Sequence, residues 1–100
     1  MPDIDEKHLQ TLKRILAEHL DGCEVRAFGS RVTGSAKKHS DLDLAVICQT
    51  KLSRRTKTLI REAFEESDLP FRVDVVDYKT ASDSFRAIVD ADYEVIQEAK

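Results

Sequence analysis

The chain has few of the residues that build linkers, cross-linked frameworks and irregular folds. Its 100 residues include three glycines, two prolines, two cysteines and no tryptophan. The scarcity of glycine and proline excludes a low-complexity linker, and residues 1–100 are expected to form a single domain. Two cysteines, Cys23 and Cys48, make no disulfide framework, so we expect reduced thiols, Cys48 in the core, and a cytoplasmic protein.

Long apolar runs and a dominant charge are also lacking. No run approaches the roughly 18–20 residues of a membrane span, and from the acidic, polar start MPDIDEKH we expect no signal peptide. The 16 Lys and Arg residues face 19 Asp and Glu residues, for a net charge of −3, which disfavours general nucleic-acid binding. A bound anion therefore needs a local site or a metal ion.

Apolar spacing predicts strands that alternate with helices, so we expect a sheet covered by helices. Asp5 and Ser53 are candidate helix caps, and Gly22 is a candidate stop for the first helix. The tail from Tyr93 to Ala99 fits either a helix or a short edge strand. The predicted helices cover 9–20, 52–64 and 85–89, and the predicted strands cover Glu24–Phe28, 41–48 and 71–77.

The most informative segment is GSRVTGSAKKHSDLDLAV, which begins where the first predicted strand ends. Gly29 and Ser30 are followed, after ten residues, by Asp41 and Asp43. Residues i and i+2 of a strand point to one face, so the two carboxylates project together and can share divalent ions. The simpler alternative is that Asp41 caps a turn and Asp43 is solvated.

A third carboxylate, Asp74, favours the metal interpretation. It lies inside the apolar run FRVDVV, where an uncompensated charge is costly. A metal shared with Asp41 and Asp43 would compensate it. Asp77 is a rival ligand, but it has the opposite strand parity, and we expect it to end the strand and open a turn.

The same segment also suits phosphate binding. Glycine lets the backbone approach an anion, and Ser30 offers a hydroxyl and an amide at a turn that leads into a helix. Arg31 either contacts phosphates or pairs with a carboxylate. The loop cations Lys37 and Lys38 are more typical of a solvated loop than of contacts with a triphosphate.

These residues resemble the nucleotidyltransferase superfamily that includes DNA polymerase β, and within it the minimal nucleotidyltransferases (MNT). The signature of that group is Gly-Ser, ten residues, then Asp-x-Asp, and a third acid on a later strand. Gly29, Ser30, Asp41, Asp43 and Asp74 match it without a departure in spacing.

The resemblance implies an α+β fold, with a small mixed β-sheet packed with helices in a polymerase-β-like core. It implies that Asp41, Asp43 and Asp74 bind two Mg²⁺ ions as catalytic and metal residues. It further implies that Gly29 and Ser30, with Arg31 as a candidate, hold the phosphates of ATP.

Many MNT proteins pair with a HEPN-domain RNase toxin. The resemblance implies that this chain is an antitoxin that attaches AMP to such a toxin, and that the two proteins can form a hetero-oligomer. A basic helix face, from Lys51 to Arg61, is either solvated or a docking surface for such a partner. Two alternatives stay open. One is a small-molecule, aminoglycoside-like nucleotidyltransferase, and the other is a non-catalytic partner-binding module on the same fold.

Overall fold

The computed structural model describes residues 4–29 and 41–99. Within them, the chain forms three α-helices, four strands and a 3₁₀ turn. The helices are α1 (Glu6–His19), α2 (Arg54–Glu65) and α3 (Asp83–Ala91), and the 3₁₀ turn covers Tyr78–Thr80. The strands are β1 (Glu24–Phe28), β2 (Leu42–Ile47), β3 (Val73–Asp77) and β4 (Tyr93–Gln97).

The strands form one mixed sheet in the order β3-β2-β1-β4. β1 is antiparallel to both β2 and β4, whereas β2 and β3 are parallel. The parallel pair is connected through α2, which is the crossover that parallel neighbours require. The predicted mixed sheet with helices packed on it is confirmed.

The larger core lies between one face of the sheet and helices α1 and α2. Strand alternation sends Leu42, Leu44 and Val46 to this face, and all three are fully buried. Helix α1 contributes the apolar stripe predicted from its spacing. Its buried members are Leu9, Leu12, Ile15 and Leu16.

Both α1 and α2 begin at the predicted caps, by different means. The Ser53 hydroxyl accepts a hydrogen bond from the Thr56 amide at 3.1 Å, as an N-cap serine does. Asp5 stands at the N-cap of α1 without a side-chain bond. The helix ends at His19, and Gly22 follows in a turn with a φ of +87°.

The opposite face of the sheet is covered by α3. Phe28, Ala45 and Val89 form a second, smaller buried cluster, and the Phe28 and Phe85 rings meet edge to face at 5.6 Å. Two positions within the predicted helical stripes are exposed, Leu59 at 40% and Ile88 at 61%. The spacing therefore located these helices but overestimated the width of their buried faces.

The expectation of two reduced thiols is wrong in this structure, because Cys23 and Cys48 form a disulfide with Cα atoms 4.5 Å apart. The pairing of Glu24 with Ile47 brings together Cys23, just before β1, and Cys48, just after β2. This proximity depends on strand register across 25 residues of sequence, and their spacing in the chain does not show it.

The tail of the chain adopts the strand alternative. β4 pairs with β1 at one edge of the sheet, and the Gln97 side-chain amide donates to the Leu20 carbonyl at 2.7 Å and the Cys23 carbonyl at 2.9 Å. These bonds fix the end of the strand to the turn after α1. None of the helices in the two described ranges combines the length and the apolar character needed to cross a membrane.

Candidate active site

Asp43 and Asp74 lie side by side on neighbouring strands. They are direct partners in the parallel pairing of β2 with β3, so their side chains leave the same face of the sheet. Leu42 and Leu44, on either side of Asp43, point into the core on the opposite face. The alternation inferred from the sequence thus brings together two of the three predicted acids.

Asp41 immediately precedes β2, two residues before Asp43, and is exposed. Burial raises the pKa of the Asp43 carboxyl above its ordinary value, and the negative charges of Asp74 and Asp41 raise it further. Like charges that oppose ionisation at one carboxyl are typical of a site built to receive a cation.

Gly29 makes room for the Asp43 carboxylate. It follows β1 with a φ of +83°, a backbone conformation that favours glycine. A Cβ atom at this position would lie 2.5 Å from Asp43 Oδ2. Sequence reasoning assigned Gly29 to phosphate approach alone and missed this second requirement, which arises because Phe28 and Asp43 are partners across β1 and β2.

Ser30 and Arg31, the other two predicted phosphate-binding residues, lie outside the described residues, as do Lys37 and Lys38. Their assignment stays a prediction. Gly29 is the last described residue before them, and it lies against an acid of the candidate site. The first described range therefore ends, at Gly29, beside a carboxylate of the candidate site.

Asp74 is less buried than its apolar neighbours in sequence suggest. β3 is an edge strand, and the Asp74 side chain is 41% exposed. The Nε atom of Arg72 lies 3.3 Å from Asp74 Oδ1. The cost of burying this charge was therefore overestimated, and the in-register position beside Asp43 is the stronger argument for a site.

Asp77 has the structural role expected from its parity. It is 4% exposed, and its Oδ2 accepts a hydrogen bond from the Leu52 amide at 2.8 Å. Its Oδ1 accepts from the Lys79 amide at 3.1 Å and so caps the 3₁₀ turn. Both carboxylate oxygens are thus bonded to backbone amides.

A divalent ion fits the chemistry of the acidic face, although the ligands are not drawn together in advance. No three His, Cys, Asp or Glu side chains within 4–29 and 41–99 are arranged to hold a metal ion. Carboxylate oxygens are the ligands that Mg²⁺ prefers, and mutual repulsion holds like charges apart until a cation neutralises them. Burial is the main cause of the raised pKa of Asp43, and the charges of Asp74 and Asp41 add this repulsion to it.

Buried apolar residues lie next to the acids on the same sheet face, and sequence reasoning did not assign them to the site. Along the same sheet face, Ala45 follows Asp43 and Val76 follows Asp74, and both contact the small cluster beneath α3. Phe28, the cross-strand partner of Asp43, belongs to that cluster as well. Among the residues that the structure describes, helix α3 therefore covers the end of this face away from the acids.

Comparison with known proteins agrees with this geometry. Residues 10–100 match the family model described as "Polymerase beta, Nucleotidyltransferase". A Haemophilus influenzae protein named "Probable protein adenylyltransferase MntA" is 49% identical over 96 residues, which are 96% of this chain and 84% of that protein.

Solved toxin–antitoxin structures share the fold. One, with AMP-PNP, has a TM-score of 0.78 at 22% identity and covers 92% of this chain and 74% of its own. Another contains a tri-AMPylated Shewanella oneidensis HEPN toxin with its MNT antitoxin; it has a TM-score of 0.73 at 18% identity and covers 96% of this chain and 74% of its own. The expected polymerase-β-like core is confirmed.

Proposed function

We propose a function for this chain, which belongs to the polymerase β nucleotidyltransferase family. It transfers AMP from ATP to a hydroxyl group of a HEPN toxin and acts as the antitoxin of that toxin. The observation that carries the proposal is the in-register pair of Asp43 and Asp74, with Asp41 beside them. The 49% identity to a protein named as an adenylyltransferase supports protein as the acceptor class.

Asp41, Asp43 and Asp74 would hold two Mg²⁺ ions. When bound, such ions neutralise charge on the triphosphate and lower the pKa of the attacking hydroxyl. Gly29 leaves space for Asp43, and with Ser30 and Arg31 it would hold the phosphates of ATP. The toxin–antitoxin structure with AMP-PNP supports ATP as the donor nucleotide.

Asp74 is the proposed proton acceptor for the attacking hydroxyl. Its side chain is 41% exposed beside Asp43, where an incoming hydroxyl can reach it. The hydroxyl oxygen attacks the α-phosphorus of ATP, the bond to the pyrophosphate oxygen breaks, and the proton passes to Asp74. Most of the rate enhancement comes from positioning and charge neutralisation.

The acceptor would approach the acidic face at the end away from α3. The tri-AMPylated state of the Shewanella oneidensis toxin supports more than one transfer to one acceptor, and we extend this to the present chain. The complex of that toxin with its MNT antitoxin also supports a hetero-oligomer of this chain with a HEPN toxin. We place the reaction in the cytoplasm because a toxin RNase finds its substrates there; reduced thiols give no support for this location, since Cys23 and Cys48 form a disulfide.

The test is transfer of label from ATP to separate acceptors. The purified chain is incubated with Mg²⁺ and ATP labelled at the α-phosphate, and in parallel with ATP labelled at the γ-phosphate. The acceptors are the HEPN protein encoded beside this chain, an aminoglycoside, and buffer alone. The proposal predicts α-label, and no γ-label, on the HEPN protein.

Label on the aminoglycoside in place of the HEPN protein would favour the small-molecule enzyme. Stable association with the HEPN protein without any label would favour the non-catalytic module. Either result contradicts the proposal, and the γ-labelled sample separates AMP transfer from phosphorylation.

A further inference from the structure

A groove of about 640 Å³ lies between helix α2 and the outer edge of strand β3. We call it the α2–β3 groove. Three consecutive residues of β3, Val73, Asp74 and Val75, line it. Asp74 thus belongs both to the groove and to the acidic face, so a molecule in the groove lies next to the proposed proton acceptor.

One wall of the groove is basic, although the chain as a whole is acidic. Lys57 and Arg61 of α2, which are one helical turn apart, line it together with Arg72. Glu65, the ion-pair partner of Arg61, is the other charged residue of α2 at the groove, so cations outnumber acids on this wall. Arg61 lies 4.0 Å from Glu65 and Arg72 lies 3.3 Å from Asp74, with the arginine side chains 66% and 76% exposed. Exposed ion pairs of this kind are weak, so both guanidinium groups can turn to a phosphate.

The other wall is apolar and includes an aromatic ring. Phe71 and Leu69 line it, and both are half-buried. The Phe71 ring meets the His8 ring edge to face, with centroids 6.3 Å apart, which orients it. A groove that combines cations with an aromatic surface is the usual arrangement for a nucleotide, whose phosphate pairs with the cations while its base stacks.

We infer that the α2–β3 groove holds the AMP unit already attached to the acceptor while the next AMP is added. This inference rests on the proposed function and names the acceptor that the same site receives after the first transfer. An acidic peptide would match the cations alone, whereas an attached nucleotide matches both walls.

The second transfer repeats the first with a different nucleophile. A ribose hydroxyl of the attached AMP attacks the α-phosphorus of ATP, a new O–P bond forms, and the bond to pyrophosphate breaks. The hydroxyl proton passes to Asp74 and then to water. The groove cations position the attached phosphate, which fixes the ribose hydroxyl beside Asp74.

The inference is tested by the number of AMP units on the acceptor. The chain is co-purified with the HEPN protein encoded beside it, Mg-ATP is added, and intact masses are followed over time. The variant is Lys57→Ala with Arg61→Ala. The matched control is Arg54→Ala with Arg55→Ala, two exposed cations of the same helix that do not line the groove.

We expect the wild type and the control to add several AMP units. The groove variant is expected to add the first unit within about twofold of the wild-type rate and to slow later additions by about tenfold or more, as loss of charged hydrogen bonds predicts. Equal loss of first and later additions would assign the groove to the unmodified partner protein and overturn the inference. Unchanged later additions, or a wild type that stops at one unit, would also overturn it.

A binding measurement without metal separates this inference from the proposed function. AMP is titrated into the chain in EDTA, and backbone amide shifts of residues 57–75 are followed by NMR. We expect saturable shifts in the wild type and the control, and about tenfold weaker binding in the groove variant. If the wild type transfers no AMP, the proposed function fails, and absence of these shifts then overturns the groove as a nucleotide site.

Discussion

Asp43 carries an electrostatic cost within the acidic face. Its carboxyl is partly buried and faces the charges of Asp74 and Asp41, so its pKa is raised. A folded-state pKa above the unfolded one means that the ionised carboxylate destabilises the fold at neutral pH. The cost is lost as the pH falls through the folded pKa towards the unfolded value.

The first prediction follows from that sign. Without metal at pH 7, Asp43→Asn should raise the free energy of unfolding by up to about 1 kcal/mol, as functional-site neutralisation commonly does. The gain should shrink as the pH is lowered below the folded pKa of Asp43. Urea unfolding of both proteins between pH 7 and pH 4 measures it, and a variant that is less stable than the wild type at pH 7 would contradict it.

The second prediction concerns the two glycines with positive φ, which form a matched pair. Gly29→Ala and Gly22→Ala should each cost about 1–2 kcal/mol of stability, because an L-residue is strained there. Nothing lies within 4 Å of a Cβ atom at Gly22, whereas a Cβ at Gly29 meets Asp43 Oδ2 at 2.5 Å.

Only Gly29→Ala should therefore displace Asp43 and abolish AMP transfer, while Gly22→Ala keeps it. Thermal unfolding gives the stability of each variant, and transfer is assayed at a temperature where both are folded. Equal activities of the two variants would show that the contact with Asp43 is unimportant.

At the residue scale, the sequence predicts the acids better than their surroundings. Asp43 and Asp74 share a face because strand alternation is local, and parity also separated Asp77 from them. The contact of Gly29 with Asp43 depends on which residue of β1 pairs with which residue of β2. Register is set by the whole sheet, so no local pattern contains it.

At the scale of elements, Asp77 joins the end of β3 to the segment that begins α2. Its buried carboxylate accepts from the Leu52 and Lys79 amides. We predict that Asp77→Ala lowers the free energy of unfolding by about 2–4 kcal/mol, because it leaves buried backbone donors without an acceptor.

Urea unfolding measures this loss, and Asp68→Ala, a change at an exposed carboxylate, is the control, expected within about 0.5 kcal/mol of the wild type. Similar stabilities of the two variants would remove the structural role of Asp77 and reopen its candidacy as a metal ligand.

Helices and central strands were predictable because their signals are local: caps, apolar stripes and alternation. The tail was not, because β4 is five residues long and is partly exposed at Tyr93 and Val95. Pairing with β1 decides its conformation. Leu59 and Ile88 are exposed for a similar reason. Helical spacing predicts which side of a helix is apolar, but it does not predict which of those residues another element covers.

At the scale of the whole molecule, the disulfide links β1 and β2 at the end of the pair opposite Gly29 and Asp43. We predict that reduction of Cys23–Cys48 lowers the free energy of unfolding by about 3 kcal/mol, as expected for a loop closed over 25 residues. Transfer at low temperature should not change, since the acids lie away from the bond.

Thermal unfolding with and without reductant measures the effect, and a Cys23→Ser, Cys48→Ser variant is the control, with no response to reductant. An unfolding temperature of the wild type that does not depend on reductant would contradict the prediction. Loss of transfer on reduction would show coupling along the two strands.

The central claim is that the paired acids of β2 and β3 carry AMP transfer to a partner protein. Its most direct test is to co-express the chain with its HEPN neighbour, once as wild type and once as Asp43→Asn, and to weigh both intact proteins. We predict that the neighbour gains whole AMP units with the wild type and none with Asp43→Asn, which removes charge with little change in volume. A neighbour that keeps its unmodified mass beside the wild type, or that gains AMP equally beside Asp43→Asn, would contradict the account.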